Sequence, residues 1–139
     1  MQNNGAVMNS KILFIEDDED DIAILQDGFD ELGFAATTFC VDVLSAISYL
    51  NSLNDENLPK LIVTDYNLPI LSGYQFIEFL KKEPRYSSIK LAVFSTSISQ
   101  KDVQKFSKVG VTTLLEKPSS YNEFKIISSV FKSIAEEEI

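Results

Sequence analysis

Ile12-Leu13-Phe14-Ile15-Glu16-Asp17-Asp18-Glu19-Asp20-Asp21 sets four apolar residues directly against six acids. An apolar run this short, with no polar residue in it, suits a strand buried on both faces. The abrupt change to carboxylates marks where the chain leaves the sheet. Three further runs repeat the arrangement: Leu61-Ile62-Val63, with Thr64 and Asp65 after it; Leu91-Ala92-Val93-Phe94, followed by Ser95; and Leu114-Leu115, with Glu116, Lys117 and Pro118 after it. Phe34 to Phe39 reads as a weaker strand.

Between these runs the apolar period changes to that of a helix. Ile22, Leu25, Phe29 and Leu32 recur at spacings of three and four, with Gly33 as a stop; Val43, Ile47 and Leu50 repeat the pattern. Phe76, Ile77 and Leu80 precede Pro84, Val103 and Phe106 precede Gly110, and Tyr121, Phe124, Ile127, Phe131 and Ile134 make the longest stripe. Five strands alternating with five helices require right-handed crossovers, which predicts an α/β fold: a doubly wound (βα)5 parallel sheet with helices on both faces.

At 139 residues the chain makes one domain, and 45% hydrophobic residues, ten Phe and five Tyr among the total, suffice for its core. Residues 1–10 are small and polar and are expected to be disordered, with the fold occupying 11–139 and no output domain attached. The net charge of −9 repels phosphate backbones and argues against direct nucleic-acid binding. The absence of histidine excludes Ser-His-Asp and Cys-His hydrolases and HExxH zinc enzymes. Cys40 stands alone, so no internal disulfide forms, and neither a signal peptide nor a membrane span is legible; a cytoplasmic protein is expected.

In an open parallel sheet, ligands bind outside the carboxyl ends of the strands, where strand order reverses. With the order 2-1-3-4-5, strands one and three are neighbours, which brings Asp17 beside Asp65 and sets Lys117 among carboxylates. Two readings of the acidic run stay open on its residues alone. Carboxylates in a first helical turn complement the helix dipole; but two of them 4 Å apart repel by about 4 kcal/mol at an effective dielectric near 20, which a hard cation such as Mg2+ would relieve. Calcium of the EF-hand type is excluded, since a loop started at Asp17 would need Gly and Glu where Ile22 and Gly28 stand.

The four strand ends together resemble the receiver domain of two-component response regulators, over roughly Lys11 to Ile134. The likeness rests on Ile12 to Asp18, on Leu61 to Pro69 with Ser72-Gly73 following, on Ala92-Val93-Phe94-Ser95, and on Leu114 to Pro118. It implies a single-domain, flavodoxin-like receiver with Asp65 as phosphoacceptor, taking its phosphoryl group from a sensor histidine kinase or a histidine phosphotransfer protein. By the same resemblance, Asp17, Asp65 and the backbone carbonyl of Asn67 ligate Mg2+, with Glu16 holding it through water. Lys117 pairs with Asp65 or its phosphoryl group, Ser95 donates its hydroxyl to a phosphoryl oxygen, and a cis peptide before Pro118 aims the lysine inward. Output passes to a downstream protein by protein contact, without turnover of a separate substrate.

One position departs from the family. Receivers usually carry Tyr or Phe three residues before the lysine, and here that residue is Leu114. The departure supplies the alternative, a phosphorylation-independent interaction module on a receiver scaffold. An FMN protein or an aspartate-nucleophile phosphatase on the same topology fits less well: the acids after the first run repel a flavin phosphate, and the phosphatase nucleophile would follow the first strand rather than the third.

Overall fold

The computed structural model describes residues 10–137. Five strands and five helices alternate: β1 Ile12–Ile15, α1 Glu19–Glu31, β2 Thr37–Cys40, α2 Val43–Asn51, β3 Leu61–Thr64, α3 Gly73–Lys82, β4 Lys90–Ser95, α4 Gln100–Ser107, β5 Thr113–Glu116 and α5 Tyr121–Glu136. All pairings are parallel, in the order β2-β1-β3-β4-β5, so the predicted topology is the observed one. The disorder expected of residues 1–10 concerns, apart from Ser10, positions outside the described residues.

Side chains alternate across the sheet, and the alternation sorts the core. Ile12 and Phe14 of β1 point to the α1–α5 side with Leu25, Phe29, Phe94, Phe124 and Phe131, whereas Leu13 and Ile15 point to the α2–α3 side with Ala46, Leu50, Phe76 and Leu80. Phe131 stands edge-on to both Phe14 and Phe94 at centroid distances of 5.5 and 5.3 Å, which fixes α5 across β1 and β4. A third cluster, Ile77, Val93, Phe106 and Val111, seats α4, with Tyr66, Tyr74 and Leu114 packed against it.

The second strand begins later than its sequence suggests. Gly33 takes a φ of +67°, its N–H donates to Asp30 O at 3.0 Å, and the Phe34 N–H donates to Phe29 O at 3.0 Å. These two bonds form a Schellman closure, and the Phe34 ring packs on Phe29 at 5.5 Å as its apolar partner. Phe34 therefore belongs to the end of α1, leaving Thr37–Cys40 to pair with β1. Leu32, Val103 and Tyr121 of the stripes are exposed, at 42%, 41% and 49%, and the Tyr121 hydroxyl donates to Asp27 Oδ2 at 2.8 Å.

Helices α1 and α5 approach closely at Gly28. A Cβ built there would stand 2.6 Å from Lys125 O and 2.7 Å from Ser128 Cβ, and the Ser128 hydroxyl, fully buried, donates to Leu25 O at 2.9 Å. In an ordinary helix interior Gly→Ala gains roughly 0.5–1 kcal/mol. Here overpacking against a backbone carbonyl reverses the sign, and Gly28→Ala should lower unfolding free energy by about 1–3 kcal/mol. Urea denaturation checks this; an unchanged or raised midpoint would show that α1 and α5 separate freely.

Candidate functional site

The site is assembled by hydrogen bonds that continue the strand ladders past the strand ends. Glu16 N–H donates to Cys40 O at 2.9 Å, Asp65 N–H to Ile15 O at 3.0 Å, and Lys117 N–H to Ser95 O at 2.8 Å. Glu16, Asp65 and Lys117 are thus held in the sheet's own register, at its carboxyl edge. Ser95 is the last residue of β4, which runs beyond β3 because Thr64 pairs with Val93. Helix α3 closes the far side: Gly73 N–H donates to Tyr66 O at 2.9 Å, and a Cβ at Gly73 would fall on the Asp65 carbonyl oxygen. Only glycine allows that approach.

Asp65 is 7% exposed, and both of its carboxylate oxygens are engaged. Oδ1 accepts from the Asn67 N–H at 3.2 Å and the Ser95 hydroxyl at 3.1 Å; Oδ2 pairs with Lys117 Nζ at 2.7 Å. The same ammonium lies 2.8 Å from Glu16 Oε1 and 2.8 Å from Asp21 Oδ2. Glu16 is buried, and its Oε2 accepts the Asp18 N–H at 3.2 Å. Asp17 is exposed and offers an oxygen to the group Glu16, Asp17 and Asp65, whose carboxylate oxygens lie within 4.8 Å of one another.

Of the positions singled out in the sequence, Glu16, Asp17, Asp65, Asn67, Ser95 and Lys117 therefore meet at one point. Leu114 lies away from it, in the cluster under α4. The expected cis peptide before Pro118 is corrected: no cis peptide occurs among the described residues. The trans form is favoured by about 0.5–1 kcal/mol before proline. Lys117 reaches the carboxylates without the cis form, because its backbone N–H is already paired to Ser95 O.

Two participants are not distinguished in the sequence. Asp21, one acid among six, is a direct partner of Lys117. Helical spacing does not single it out, since Asp17 and the extended N-cap Asp18 precede the first turn of α1. Asp18 is the N-cap that fixes this turn, accepting from Asp20 N–H at 2.9 Å and Asp21 N–H at 3.1 Å. Glu116 is the other: its Oε2 accepts the Ile98 N–H at 3.0 Å and ties the loop after Ser95 to the end of β5. Sequence gave no pointer to that bond, which spans two strand ends. Beside the carboxylates, a cleft of about 620 Å³ lined by Asp18, Asp21, Thr96, Lys117, Pro118 and Tyr121 opens on the α1–α5 side.

Burial dominates the electrostatics of Glu16. Desolvation, with Asp65 adding repulsion, outweighs the Lys117 hydrogen bond and charge and raises its carboxyl from 4.5 to about 7. Burial by itself would lower the Lys117 ammonium, but hydrogen bonds to Asp21, Asp65 and Glu16 outweigh it and hold the group charged well above its usual range. For Glu16 the folded state binds the proton more tightly than the unfolded state, so its contribution to stability falls as pH rises from about 4.5 through about 7. In chelator-treated protein, Glu16→Gln should remove that decline, leaving a flatter stability curve in this window. Thermal melts from pH 4.5 to 7.5 test it; parallel curves for the two proteins would refute the assignment.

With the geometry in place, comparison with known proteins is direct. The sequence model described as "Response regulator receiver domain" matches residues 12–128. The probable methanogenesis regulatory protein FilR2 of Methanothrix harundinacea is 27% identical over 117 residues, 82% of this chain and 76% of its own length. A two-component response regulator from Legionella pneumophila superposes with a TM-score of 0.74 at 28% identity, covering 89% of this chain and 98% of that one. The Mn2+-bound form of response regulator Rcp1 gives a TM-score of 0.79 at 25% identity, with 92% and 95% covered. The match runs from the first residue of β1 into α5 and takes in every strand end that forms the site; the chain belongs to the response regulator receiver domain family.

Proposed function

We propose that the chain is a phosphoryl-accepting receiver of a two-component pathway, with Asp65 as the acceptor. The observation that carries this reading is the environment of Asp65: a buried carboxylate at a strand end, with an ammonium on one oxygen and a hydroxyl and an amide N–H on the other. In the transfer, a carboxylate oxygen of Asp65 attacks phosphorus, the N–P bond of a partner's phosphohistidine breaks, and the imidazole nitrogen leaves with the bonding pair. No histidine of this chain can serve as donor, since it has none. The donor is then a sensor histidine kinase or a histidine phosphotransfer protein.

Phosphoryl transfer depends on placement and on neutralising charge on the equatorial oxygens more than on covalent help from the protein. Lys117 supplies a fixed positive charge 2.7 Å from the acceptor, and Ser95 a hydroxyl that turns from Asp65 Oδ1 to a phosphoryl oxygen. Glu16, Asp17 and Asp65 suit a hard divalent cation: all three donors are carboxylate oxygens, their spacing is within 4.8 Å, and the exposed Asp17 leaves room for water. These three, with the Asn67 carbonyl, would hold Mg2+, which when bound neutralises phosphoryl charge. Asp65 is consumed and regenerated in each cycle, so the protein turns over its own phosphate rather than a separate substrate.

Output is taken to pass by protein contact, from a cytoplasmic protein. The net charge of −9 supports a route that avoids nucleic acid, and among the described residues no helix is long and apolar enough to cross a membrane. Leu114 favours a second reading, in which a partner binds irrespective of phosphorylation, because it supplies no ring to follow the Ser95 hydroxyl. The rings that meet α4 come instead from the other side: Tyr66 and Tyr74 stand edge-on to Phe106 at 5.1 and 5.4 Å, and Lys105 Nζ donates to the Tyr66 hydroxyl at 2.9 Å.

Incubation with Mg2+ and acetyl phosphate should add one phosphoryl group by intact mass, with none on Asp65→Asn and none in the presence of a chelator. A gain independent of Mg2+, or retained by Asp65→Asn, would refute the assignment. Lys117→Met should slow the gain by about 10²-fold or more, the range for loss of one charge-stabilising group in transfer chemistry. A downstream partner that binds wild type and Asp65→Asn equally well would favour the second reading.

A further inference from the structure

Lys117 presents three N–H donors, and each has a carboxylate within hydrogen-bond distance: Glu16 and Asp21 at 2.8 Å, and Asp65 at 2.7 Å. The side chain is 8% exposed, so water contributes little to its solvation and the three anions must do so. Two of those anions, Glu16 and Asp65, belong with Asp17 to the oxygen group that suits a divalent cation; Asp21 stands outside it. A cation and the ammonium compete for Glu16 and Asp65, because two positive charges held close together at a poorly solvated site repel. Whatever draws Glu16 and Asp65 away leaves Lys117 with one remaining partner.

We infer that Asp21 is a positioning residue for Lys117, keeping the ammonium inside the site when Glu16 and Asp65 turn to a cation. The inference rests on the receiver reading above and extends it to a residue on α1. Asp21 is built for the part. Its N–H is fixed by the Asp18 cap at 3.1 Å, so its carboxylate is carried by the helix start rather than by a loop. Its side chain is only 18% exposed and reaches from the first turn of α1 to the lysine just after β5, at 2.8 Å. The hold is also a restraint: an ammonium shared with Asp21 releases Glu16 and Asp65 more readily than one that has only those two.

The consequence is a coupling between Asp21 and cation affinity that runs through Lys117. Loss of the Asp21 charge concentrates the ammonium on Glu16 and Asp65, and Mg2+ must then displace a tighter pair. By calorimetric titration with Mg2+ alone, Asp21→Asn should bind about three- to tenfold more weakly than wild type, which is about 0.6–1.4 kcal/mol at 1.4 kcal/mol per tenfold. In a Lys117→Met background the same substitution should change affinity less than about twofold, since the path is gone. An equal loss in both backgrounds would make Asp21 a simple remote charge acting on the cation and would overturn the inference, as would undiminished binding by Asp21→Asn or no Mg2+ binding by wild type.

A second measurement does not depend on the Lys117→Met protein folding. In Mg2+-saturated protein, acylation of the Lys117 amine, read by peptide mass spectrometry, should be several-fold faster in Asp21→Asn than in wild type, with Asp21→Glu restoring protection. Equal acylation rates in wild type and Asp21→Asn would overturn the inference. Neither experiment uses a phosphodonor, so a failure of Asp65 phosphorylation and a failure of the Asp21 inference are read separately.

Discussion

One buried ammonium surrounded by carboxylates is the constraint on which the carboxyl edge of the sheet depends. Glu16, Asp21 and Asp65 come from the end of β1, the first turn of α1 and the end of β3, and each lies within 2.8 Å of Lys117 Nζ. Without that charge, three anions would face one another at low solvation. The raised Glu16 carboxyl shows that even with the lysine present the balance is tight, since burial and Asp65 together outweigh its help. A buried ion pair of this sort is weak support for stability in general, because desolvating the ions offsets much of their attraction. Its place at the carboxyl edge around Asp65 suits the phosphoryl transfer proposed above better than it suits a purely stabilising role.

The apolar core makes that cost tolerable. Strands β1 and β3 are buried along their whole length, with every residue of Ile12–Ile15 and Leu61–Thr64 at most 1% exposed. The backbone ladder then continues one residue past β1, β3 and β5, so Glu16, Asp65 and Lys117 are fixed by the same kind of hydrogen bond that fixes the sheet. This is why a site made of loop residues has the precision of a strand. Gly73 extends the arrangement to α3, whose first residue lies against the Asp65 carbonyl with no room for a side chain.

Much of this was legible beforehand because it follows from periods and adjacency. The apolar runs gave the strands, their order placed Asp17 beside Asp65, and the residue after each run marked Glu16, Ser95 and Lys117. What escaped detection depends on three-dimensional closure. Phe34 looks like a strand residue, since an aromatic after a glycine fits either a strand start or a Schellman cap, and only its packing on Phe29 decides. Gly28 carries no turn signal, yet it sets the distance between α1 and α5, a fact held by its neighbour Ser128 a hundred residues away in sequence. Asp21 was hidden by its surroundings: among six consecutive acids, composition cannot tell the one that turns inward from those that cap the helix.

Leu114 contributes only apolar packing to the seat of α4. The third core cluster seats α4 on Ile77, Val93 and Val111 through Phe106, and Leu114 fills its edge without a polar group. The aromatic and polar contacts to α4 originate from Tyr66, the residue next to Asp65, and from Tyr74 in the first turn of α3; Lys105 Nζ stands 4.3 Å from the Tyr74 ring centroid and bonds the Tyr66 hydroxyl. An exposed cation–π contact is worth only about 0.5–1 kcal/mol, so this clasp orders α4 without locking it. Its position matters more than its strength. Any displacement of the backbone at Asp65 moves Tyr66 with it, and Tyr66 is bonded directly to α4, whereas Leu114 meets that helix through apolar packing alone. The end of β3 is therefore joined to α4 by a short covalent and hydrogen-bonded connection, Asp65-Tyr66 to Lys105, that does not include β5.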